Sequence, residues 1–503
     1  MRRSLFAALA LSALLAVPSL AAEAPAVAVD SGALAGVSDS GIDVYKGIPY
    51  AAPPVGPLRW MPPQSPAKWS GTRDAKSFGA ICPQPARPDA VLAAGAGLPQ
   101  SEDCLFLNVW APHGVRHAPV MVWIHGGAHR FGSGASPLYD GAQFARDGVV
   151  LVTINYRLGL LGYFAHPALT KAASSDAPLG DYGEMDQMAA LQWVKRNIAA
   201  FGGDPANVTV FGESAGGASI LYLMSAPAAK GLFAKAIVES GGGWGKETTL
   251  AEKEADGADF ATKQGLPGAD ATLEQLRAIP ADKTFDIPAA LGFGPFVDGR
   301  LVTESPQHAF ARGDQAHVPL IIGSNSFEAS LMKSFAIPPD RILARLTPNA
   351  RALYAGVATD DQALAQAVFT DSIMGAPAHW VAGRASASAP AFLYHFSYVL
   401  SMRRATSPGA GHGSEIPYVF GTGTALAARF GASLAPDDLA METLMHSCWV
   451  GFAKTSTPRC DGATWPAFTP SSDTLMEFGP QPGPVSNFRK AQYTALESIL
   501  KPQ

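Results

Sequence analysis

The pentapeptide Gly-Glu-Ser-Ala-Gly at residues 212–216 constrains the fold of this chain more than any other feature, because of what flanks it. The apolar, β-branched run at residues 208–211 precedes it directly, and the helix-prone residues 218–224 follow it. In a strand–turn–helix of this form the glycines permit a sharp turn, and the central residue, Ser214, is exposed on it. The pattern G-x-S-x-G is weak by itself, but this setting predicts an α/β fold with Ser214 just past a buried strand.

Short apolar runs alternate with helical patterns in the middle of the chain, which predicts βαβ units and a mostly parallel central sheet flanked by helices. The predicted strands are residues 120–124, 149–154, 208–211, 236–238, 318–322 and 391–396, and the clearest predicted helices are residues 185–197 and 488–500. Two less regular stretches, residues 245–298 and 330–389, show no domain-sized core of their own. We expect them to be insertions that form the walls of a pocket, and residues 85–99 to be a surface loop.

The composition excludes two broad classes of protein. The 503 residues are 48% hydrophobic and 16% charged, which is too apolar and too weakly charged for a disordered chain. Lys and Arg number 37 against 42 Asp and Glu, so the formal net charge is −5. A nucleic-acid-binding protein needs a basic face, and this balance argues against nucleic acid as the main partner.

The first 21 residues have the pattern of a secretory signal peptide. Arg2 and Arg3 form a basic start, residues 5–17 are apolar, and Ser19 and Ala21 are small residues at the positions that precede a cleavage site. The alternative is an uncleaved membrane anchor, for which the apolar run is short against the ~20 residues of a bilayer span. We therefore expect cleavage after Ala21, one domain over residues 22–503 without a later membrane span, and a periplasmic or secreted protein.

Export would permit disulfide bonds among the four cysteines, Cys82, Cys104, Cys448 and Cys460. Four cysteines allow three pairings, and the residues alone do not choose among them. Their spacing lacks the Cys-x-x-Cys pairs of a zinc site.

A serine hydroxyl becomes an effective nucleophile only with a base and an acid that orients the base. The histidines that follow both Ser214 and the predicted strand at 318–322 are His379, His395, His412 and His446. His412 is flanked by glycines on a loop just after the strand at 391–396, whereas the other three fall in helical or strand patterns. His412 is therefore the candidate base.

The acid is expected between the serine and the histidine in chain order. Glu328 lies on the loop that follows the strand at 318–322, so it is the candidate acid. Asp298 is the alternative, although an aspartate before a glycine is more typical of a turn. With Glu328, all three candidate residues follow the carboxyl ends of predicted parallel strands, where open α/β sheets build their sites.

The strand at 120–124 ends in His-Gly-Gly-Ala, residues 125–128. Small residues at such a strand end leave the backbone N–H groups of Gly127 and Ala128 free to stabilise a developing oxyanion, and Ala215, after the serine, supplies another donor. Glycines at a strand end also serve simple structural turns, so this motif alone leaves both roles open.

Taken together, these motifs resemble those of the type-B carboxylesterase family, which includes the para-nitrobenzyl esterases and the cholinesterases. Further matching segments are residues 47–56, 101–109, 201–205 and 449–454, in the same order as in the family. The resemblance extends over roughly residues 30 to 500, almost the whole of the expected mature chain.

The resemblance implies an α/β-hydrolase fold, a small-molecule ester substrate, and neither metal nor organic cofactor. It makes Ser214 the nucleophile, Glu328 the acid and His412 the base. The other roles it implies are an oxyanion hole of the N–H groups of Gly127, Ala128 and Ala215, a Cys82–Cys104 disulfide, ion pairs Arg59–Glu102 and Arg157–Asp186, and a hydrogen bond from Ser240 to Glu328.

The chain also departs from the family. His129 and Arg130 follow the oxyanion motif where the family usually has an aromatic residue, and Asp181 begins a motif that commonly begins with Asn. One hypothesis is that Arg130 binds an anionic group of the ester; the alternative is that it pairs inside the protein, for example with Asp140.

Two other functions stay open at this stage. Some relatives are non-catalytic recognition proteins, but these typically lack the serine that Ser214 retains. An amidase or a lipase would use the same three residues with a different leaving group.

Overall fold

The computed structural model describes residues 22–85, 97–242, 247–285, 292–429 and 431–500. The expected signal peptide and most of the expected surface loop at 85–99 therefore lie outside the described residues.

The described chain forms a 12-stranded sheet and a separate three-stranded sheet. The strands are β1 Ala22–Glu23, β2 Val27–Val29, β3 Gly32–Ala35, β4 Val37–Asp39, β5 Ile42–Pro49, β6 Thr72–Asp74, β7 Phe106–Pro112, β8 Ala118–Ile124, β9 Val150–Ile154, β10 Gly203–Glu213, β11 Lys235–Glu239, β12 Leu320–Asn325, β13 Ala391–Phe396, β14 Thr474–Phe478 and β15 Gly483–Ser486. All six strands predicted from the sequence are present.

The large sheet has the order β1-β4-β5-β7-β9-β8-β10-β11-β12-β13-β14-β15. The strands from β9 to β14 in that order run parallel to one another, and antiparallel strands extend the sheet at both edges. The mostly parallel sheet expected from the sequence is thus confirmed. Its carboxyl edge brings together the loops after β8, β10, β12 and β13.

Helices cover both faces of this sheet. They are α1 Ala142–Arg146, α2 Gly159–Gly162, α3 Pro167–Ala172, α4 Tyr182–Asn197, α5 Ala215–Ser225, α6 Leu250–Lys263, α7 Leu273–Arg277, α8 Pro306–Arg312, α9 Ser330–Ser334, α10 Pro339–Leu343, α11 Pro348–Ala352, α12 Asp361–Thr370, α13 Ala376–Ala385, α14 Ile416–Phe420, α15 Gly423–Arg429, α16 Pro436–Thr455 and α17 Lys490–Leu500. None of the helices within the described ranges is both long and apolar enough to cross a membrane.

The central strands have continuous apolar sequences, and strand β8 shows why. Val120, Val122 and Ile124 belong to the hydrophobic cluster on one face of the sheet, and Met121 and Trp123 belong to the cluster on the other. Successive side chains of a strand point to opposite faces, so a strand covered on both faces needs apolar residues at every position.

The two expected insertions add helices rather than a second sheet. Residues 245–298 contain α6 and α7, and residues 330–389 contain α9 to α13. Residues 330–370 of the second insertion form only small apolar clusters, such as Met332 with Phe369 and Tyr354 with Leu364, whereas α13 joins the main core through Trp380. A cavity of about 520 Å³ lies between α9 and α12, next to the loop that carries Glu328.

Two disulfide bonds and two ion pairs cross-link the chain, at sequence separations from 12 to 43 residues. The disulfides are Cys82–Cys104, as the resemblance implies, and Cys448–Cys460, a pairing that the sequence left open. Arg59 Nη2 lies 2.5 Å from Glu102 Oε1, and Arg157 Nη2 lies 2.7 Å from Asp186 Oδ1.

Candidate active site

Ser214 lies on the sharp turn between β10 and α5. Its backbone has φ 56° and ψ −120°, and a positive φ is uncommon for a residue other than glycine. A β-carbon on Gly212 would lie 2.5 Å from the carbonyl oxygen of Ile124, and one on Gly216 only 2.0 Å from the same oxygen. The two glycines of the motif are therefore required by the close approach of β8 to the turn.

His412 lies on the loop after β13 and bridges the other two candidate residues. Its Nε2 is 2.7 Å from Ser214 Oγ, and its Nδ1 is 2.6 Å from Glu328 Oε2. The hydroxyl of Ser330, at the start of α9, accepts the backbone N–H of His412 at 3.0 Å. The side chain of His412 is 12% exposed, so its ring is sheltered without being sealed from solvent.

Glu328 is fully buried after β12. Its Oε1 accepts hydrogen bonds from the Ser240 hydroxyl at 2.6 Å and from the Asn325 backbone N–H at 2.8 Å. These bonds leave Oε2 directed at His412. Ser240 follows β11 with a φ of 46°, so it too lies on a turn at the carboxyl edge of the sheet.

The oxyanion motif packs directly against Ser214. A β-carbon on Gly126 would lie 3.1 Å from Ser214 Cβ, and one on Gly127 would lie 2.0 Å from the carbonyl oxygen of Phe131. Gly127 and Ala128 have φ angles of 106° and 56°. The structure thus brings the turn at residues 126–131, here named the oxyanion turn, beside Ser214 and Ala215.

Comparison with known proteins places this architecture in a family. The model of the carboxylesterase family matches residues 23–353 and 355–496. The chain belongs to the carboxylesterase family. The resemblance inferred from its motifs is confirmed, and the protein is a carboxylic ester hydrolase.

Two relatives show how far the likeness extends. The para-nitrobenzyl esterase of Bacillus subtilis (strain 168) is 38% identical over 466 residues, which cover 88% of this chain and 92% of the relative. The fumonisin B1 esterase of Sphingopyxis macrogoltabida is 37% identical over 491 residues, which cover 90% of this chain and 86% of the relative.

Solved structures confirm the α/β-hydrolase fold. A para-nitrobenzyl esterase superposes with a TM-score of 0.80 at 32% identity, and a carboxylesterase of Geobacillus stearothermophilus with 0.81 at 33%. Each comparison covers 94% of this chain and 99% of the other.

In this esterase the alternative site residues have other partners. The carboxylate of Asp298 accepts the backbone N–H groups of Leu179, Arg300 and Val302, which is the turn role expected of it. The remaining histidines pair with carboxylates away from Ser214: His379 with Glu497 and Asp473, His395 with Glu477, and His446 with Asp147.

Three buried glutamates surround the candidate triad, and the sequence reasoning missed all of them. Glu213 Oε1 lies 3.1 Å from His412 Nε2. Glu239 Oε1 accepts the indole N–H of Trp449 at 2.8 Å, and Glu415 Oε2 accepts the side-chain amide of Asn325. The available signal was weak: Glu213 fills the variable position of the pentapeptide, Glu239 ends an apolar strand, and Glu415 follows His412 by three residues.

Burial and the repulsion between neighbouring negative charges shift the pKa values of the three glutamates and of His412. Burial raises the pKa of Glu213 to about 7 and that of Glu415 to about 8, and it raises the pKa of Glu239 well above its ordinary value. Burial alone would lower the pKa of His412, but the charges of Glu213 and Glu328 outweigh it and hold that pKa above its ordinary value. The protonation of Glu213 and of Glu415 therefore influences the charge of His412.

The two residues that depart from the family contact the protein. His129 is buried, with Nε2 2.9 Å from Ser219 Oγ. Arg130 donates to the carbonyl of Phe285 at 3.4 Å, and its guanidinium lies 5.7 Å from the ring centre of Phe293. The carboxylate of Asp140 accepts the backbone N–H of Ala142.

Proposed function

We propose that this esterase cleaves small-molecule carboxylic esters through an acyl-enzyme on Ser214, with His412 as the base and Glu328 as the acid. The observation that carries the proposal is the unbroken line of hydrogen-bond contacts, 2.7 Å from Ser214 Oγ to His412 Nε2 and 2.6 Å from His412 Nδ1 to Glu328 Oε2. Contacts of this length allow a proton to leave the hydroxyl as it attacks.

In the first half-reaction Ser214 Oγ attacks the ester carbonyl carbon while its proton passes to His412 Nε2. The carbonyl π electrons move to oxygen, and the resulting oxyanion is stabilised by the backbone N–H groups of Gly127, Ala128 and Ala215. The tetrahedral intermediate collapses, the carbon–oxygen bond to the alcohol breaks, and His412 gives its proton to the leaving alkoxide.

The second half-reaction repeats these steps with water. His412 removes a proton from water, the hydroxide attacks the acyl carbon, and Ser214 recovers its proton as the carboxylic acid leaves. Glu328 holds the imidazole through Nδ1 and stabilises its positive charge in both transition states. Ser240 and the backbone of Asn325 hold Glu328 in turn.

Burst kinetics test this function. With a p-nitrophenyl ester, an acyl-enzyme mechanism gives a rapid release of one p-nitrophenol per enzyme before steady turnover, provided that deacylation is slower than acylation. Trapping the intermediate by acid quench and peptide mass spectrometry should find the acyl group on Ser214. An acyl group on another residue, or turnover through no covalent intermediate at saturating ester, would contradict the mechanism.

A substrate series separates the esterase from its alternatives. p-Nitrophenyl esters of increasing chain length, a matched p-nitroanilide and an emulsified triglyceride test carboxylesterase, amidase and lipase activity in turn. We expect the highest kcat/KM for a soluble ester. Faster cleavage of the anilide or the emulsion would reassign the leaving-group class.

We also propose that residues 22–503 form one exported domain, in the periplasm or outside the cell, after cleavage at Ala21. The two disulfides of the structure support an oxidising compartment. Amino-terminal sequencing of protein recovered from periplasmic and medium fractions tests both the cleavage site and the location. Intact protein in the cytoplasmic fraction would contradict export.

A further inference from the structure

A buried polar chain lies directly behind the oxyanion turn. His129 Nε2 is 2.9 Å from Ser219 Oγ, and the same Oγ is 2.5 Å from Glu184 Oε1. Gln187 donates to Ser219 Oγ at 3.1 Å. Ser219 is fully buried, Glu184 is 1% exposed and His129 is 5% exposed. The catalytic steps proposed above use none of these side chains.

This His129–Ser219–Glu184 chain connects the parts of the protein that must stay in register during the reaction. His129 is the residue after Ala128, Ser219 lies in the first turns of α5, which begins next to Ser214, and Glu184 lies in the first turn of α4. The carbonyl oxygen of His129 also accepts the N–H of Gly159 at 2.7 Å. Both His129 and Ala128 have positive φ, 54° and 56°. Such backbone persists only where the surroundings hold it.

One neutral form of His129, Ser219 and Glu184 pairs the atoms that face each other, while the buried Glu184 Oε2 and Gln187 Oε1 have no hydrogen-bond partner among the described residues. In the structure the Ser219 hydroxyl donates to Glu184 Oε1 and accepts from Gln187. A protonated Glu184 reverses the first of these bonds, and Ser219 then gives its single proton to His129 Nε2. The other ring nitrogen of His129 then donates to the backbone carbonyl of Phe293. In this form Glu184 is a carboxylic acid and His129 a neutral imidazole.

We propose that the His129–Ser219–Glu184 chain of hydrogen bonds positions the oxyanion turn against helix α5 while Glu184 is protonated. Ionisation of Glu184 then breaks the contact between His129 and Ser219. The inference rests on the proposed function, since it assumes that the N–H groups of Gly127, Ala128 and Ala215 bind the oxyanion.

The electrostatic surroundings favour the neutral form at pH 7. Burial raises the pKa of Glu184 to about 8, against the opposing hydrogen bonds of Ser219 and Tyr163, and burial lowers the pKa of His129 to about 4. Glu184 is therefore protonated below about pH 8. Above it, the carboxylate takes the proton of Ser219 for its own hydrogen bond, His129 Nε2 loses its donor, and a negative charge appears behind the turn that must bind an oxyanion.

Other titratable groups face this chain from each neighbouring element. They are Asp181 just before α4, Asp186 on α4, Arg157 paired with Asp186, Tyr156 and Tyr163 before α4, Tyr222 on α5, and His125 before the oxyanion turn. Burial raises the pKa of the three tyrosines well above that of Glu184 and lowers that of His125 to about 4. Glu184 is accordingly the residue of the His129–Ser219–Glu184 chain itself that changes charge near pH 8, while burial also raises the pKa of the neighbouring Asp181 well above its ordinary value.

Two alanine variants on one helix separate positioning from general damage. Ser219→Ala breaks the chain at its middle, and we expect kcat to fall about 10²-fold with KM within about threefold, the scale of a small misplacement at a reaction centre. Ser225→Ala, on the same helix with its hydroxyl on the carbonyl of Leu221, should behave as wild type. Equal kinetics for Ser219→Ala and wild type would overturn the proposal.

Two further variants test the chain as a unit. His129→Phe keeps an aromatic ring and removes both nitrogens, so it should lose as much kcat as Ser219→Ala. The double variant should lose no more than either single one, because the two residues act through the same contact. Fully additive losses would show separate roles and overturn the chain.

The pH profile of kcat decides the protonation claim, even if Ser219→Ala folds poorly. Glu184→Gln keeps an N–H donor toward Ser219 but cannot ionise, so it should have a higher kcat than Glu184→Ala and should lose the decline above about pH 8 that we expect of wild type. If the kcat of Glu184→Gln still declined above about pH 8, the proposed role of Glu184 ionisation would be wrong. Glu415, whose pKa is also about 8, would then be the group responsible.

A p-nitrophenol burst distinguishes failure of this inference from failure of the proposed function. If the proposed function is wrong, wild type gives no burst assigned to Ser214. If only the positioning role is wrong, wild type gives the burst and the variants match it in kcat and in pH profile.

Discussion

Glu213 Oε1 lies 3.1 Å from the same His412 nitrogen that faces Ser214 Oγ at 2.7 Å. In the proposed mechanism, the residue beside the nucleophile thus places a carboxyl group against the nitrogen that accepts the proton. A negative charge there favours the imidazolium form, which is unable to act as a base. The same charge would stabilise the imidazolium that forms during attack, so its net effect on rate depends on pH.

Glu213→Gln is expected to move the acid limb of kcat/KM to lower pH by about one unit, the lower end of what a neighbouring opposite charge does to a pKa. The sign follows from the base role: removing the negative charge lowers the pKa of His412, so the neutral imidazole persists to lower pH. A pH series from 5 to 11 with a neutral ester spans the raised pKa of His412 and measures the limb. Glu442→Gln, which alters a partly buried glutamate that accepts the N–H of Gly423, is the matched control. A shift to higher pH would contradict the assignment.

Ser214→Ala should reduce activity by about 10⁴–10⁶-fold, the scale for removing a nucleophile from a triad. The fold should be retained, because alanine fits the space of serine at this turn. Steady-state assays with a short p-nitrophenyl ester, together with a thermal unfolding curve, check both parts. Turnover near that of wild type would exclude Ser214 as the nucleophile.

Ser240→Ala should weaken the hold on Glu328 and lower kcat with little change in KM. The variant removes the 2.6 Å bond to Glu328 Oε1, leaving the backbone N–H of Asn325 as the other bond on that oxygen. A hydrogen bond to a charged group contributes about 1.5–3 kcal/mol, so urea unfolding should show a loss of that order. Loss of stability without loss of kcat would make Ser240 purely structural.

The positions of the three candidate catalytic residues were predictable because each follows an apolar strand of the parallel sheet. Ser214, Glu328 and His412 come after β10, β12 and β13, and parallel strands end at one edge. The predicted ends of the strands were less accurate where a proline interrupts the apolar run. The strand predicted at 318–322 begins at Leu320, just after Pro319, which has no N–H to donate to a ladder.

Other parts of the site had no local signal. Glu213, Glu239 and Glu415 are far apart in the chain, and only the folded sheet brings their carboxyls together around His412. Glutamates are usually exposed, so their residue type did not indicate that these three side chains would be buried. The antiparallel strands β5 and β7 were also not predicted, since Asp43, Lys46 and Asn108 interrupt their apolar residues.

Removing the Cys82–Cys104 disulfide should cost about 3 kcal/mol of unfolding free energy, from the chain entropy of a loop with a sequence separation of 22. The double variant Cys82→Ser, Cys104→Ser avoids a free thiol and can be compared with wild type by denaturant unfolding. Mass spectrometry of non-reduced peptides checks the pairing itself. A Cys82 peptide joined to Cys448 or Cys460 would contradict it.

Arg130 is the last residue with two competing roles, and its contacts favour support of the loop. It donates to the carbonyl of Phe285 at 3.4 Å, and its guanidinium lies against the ring of Phe293. Phe293 also accepts from His129, the residue before Arg130. A side chain that supports its own loop through Phe285 and Phe293 should affect all substrates alike.

We therefore expect Arg130→Ala to lower kcat/KM by the same factor for a neutral ester and for its carboxylate-bearing analogue. Arg130→Lys keeps the charge but loses the planar group that stacks on Phe293, so it should resemble Arg130→Ala on both esters. A direct contact with a substrate carboxylate would instead cost the anionic ester about 1.5–3 kcal/mol more than the neutral one, the range for a charged hydrogen bond. Measuring kcat/KM for both esters in the three proteins decides between them: a selective loss on the anionic ester, partly restored by lysine, would establish Arg130 as a substrate-binding residue.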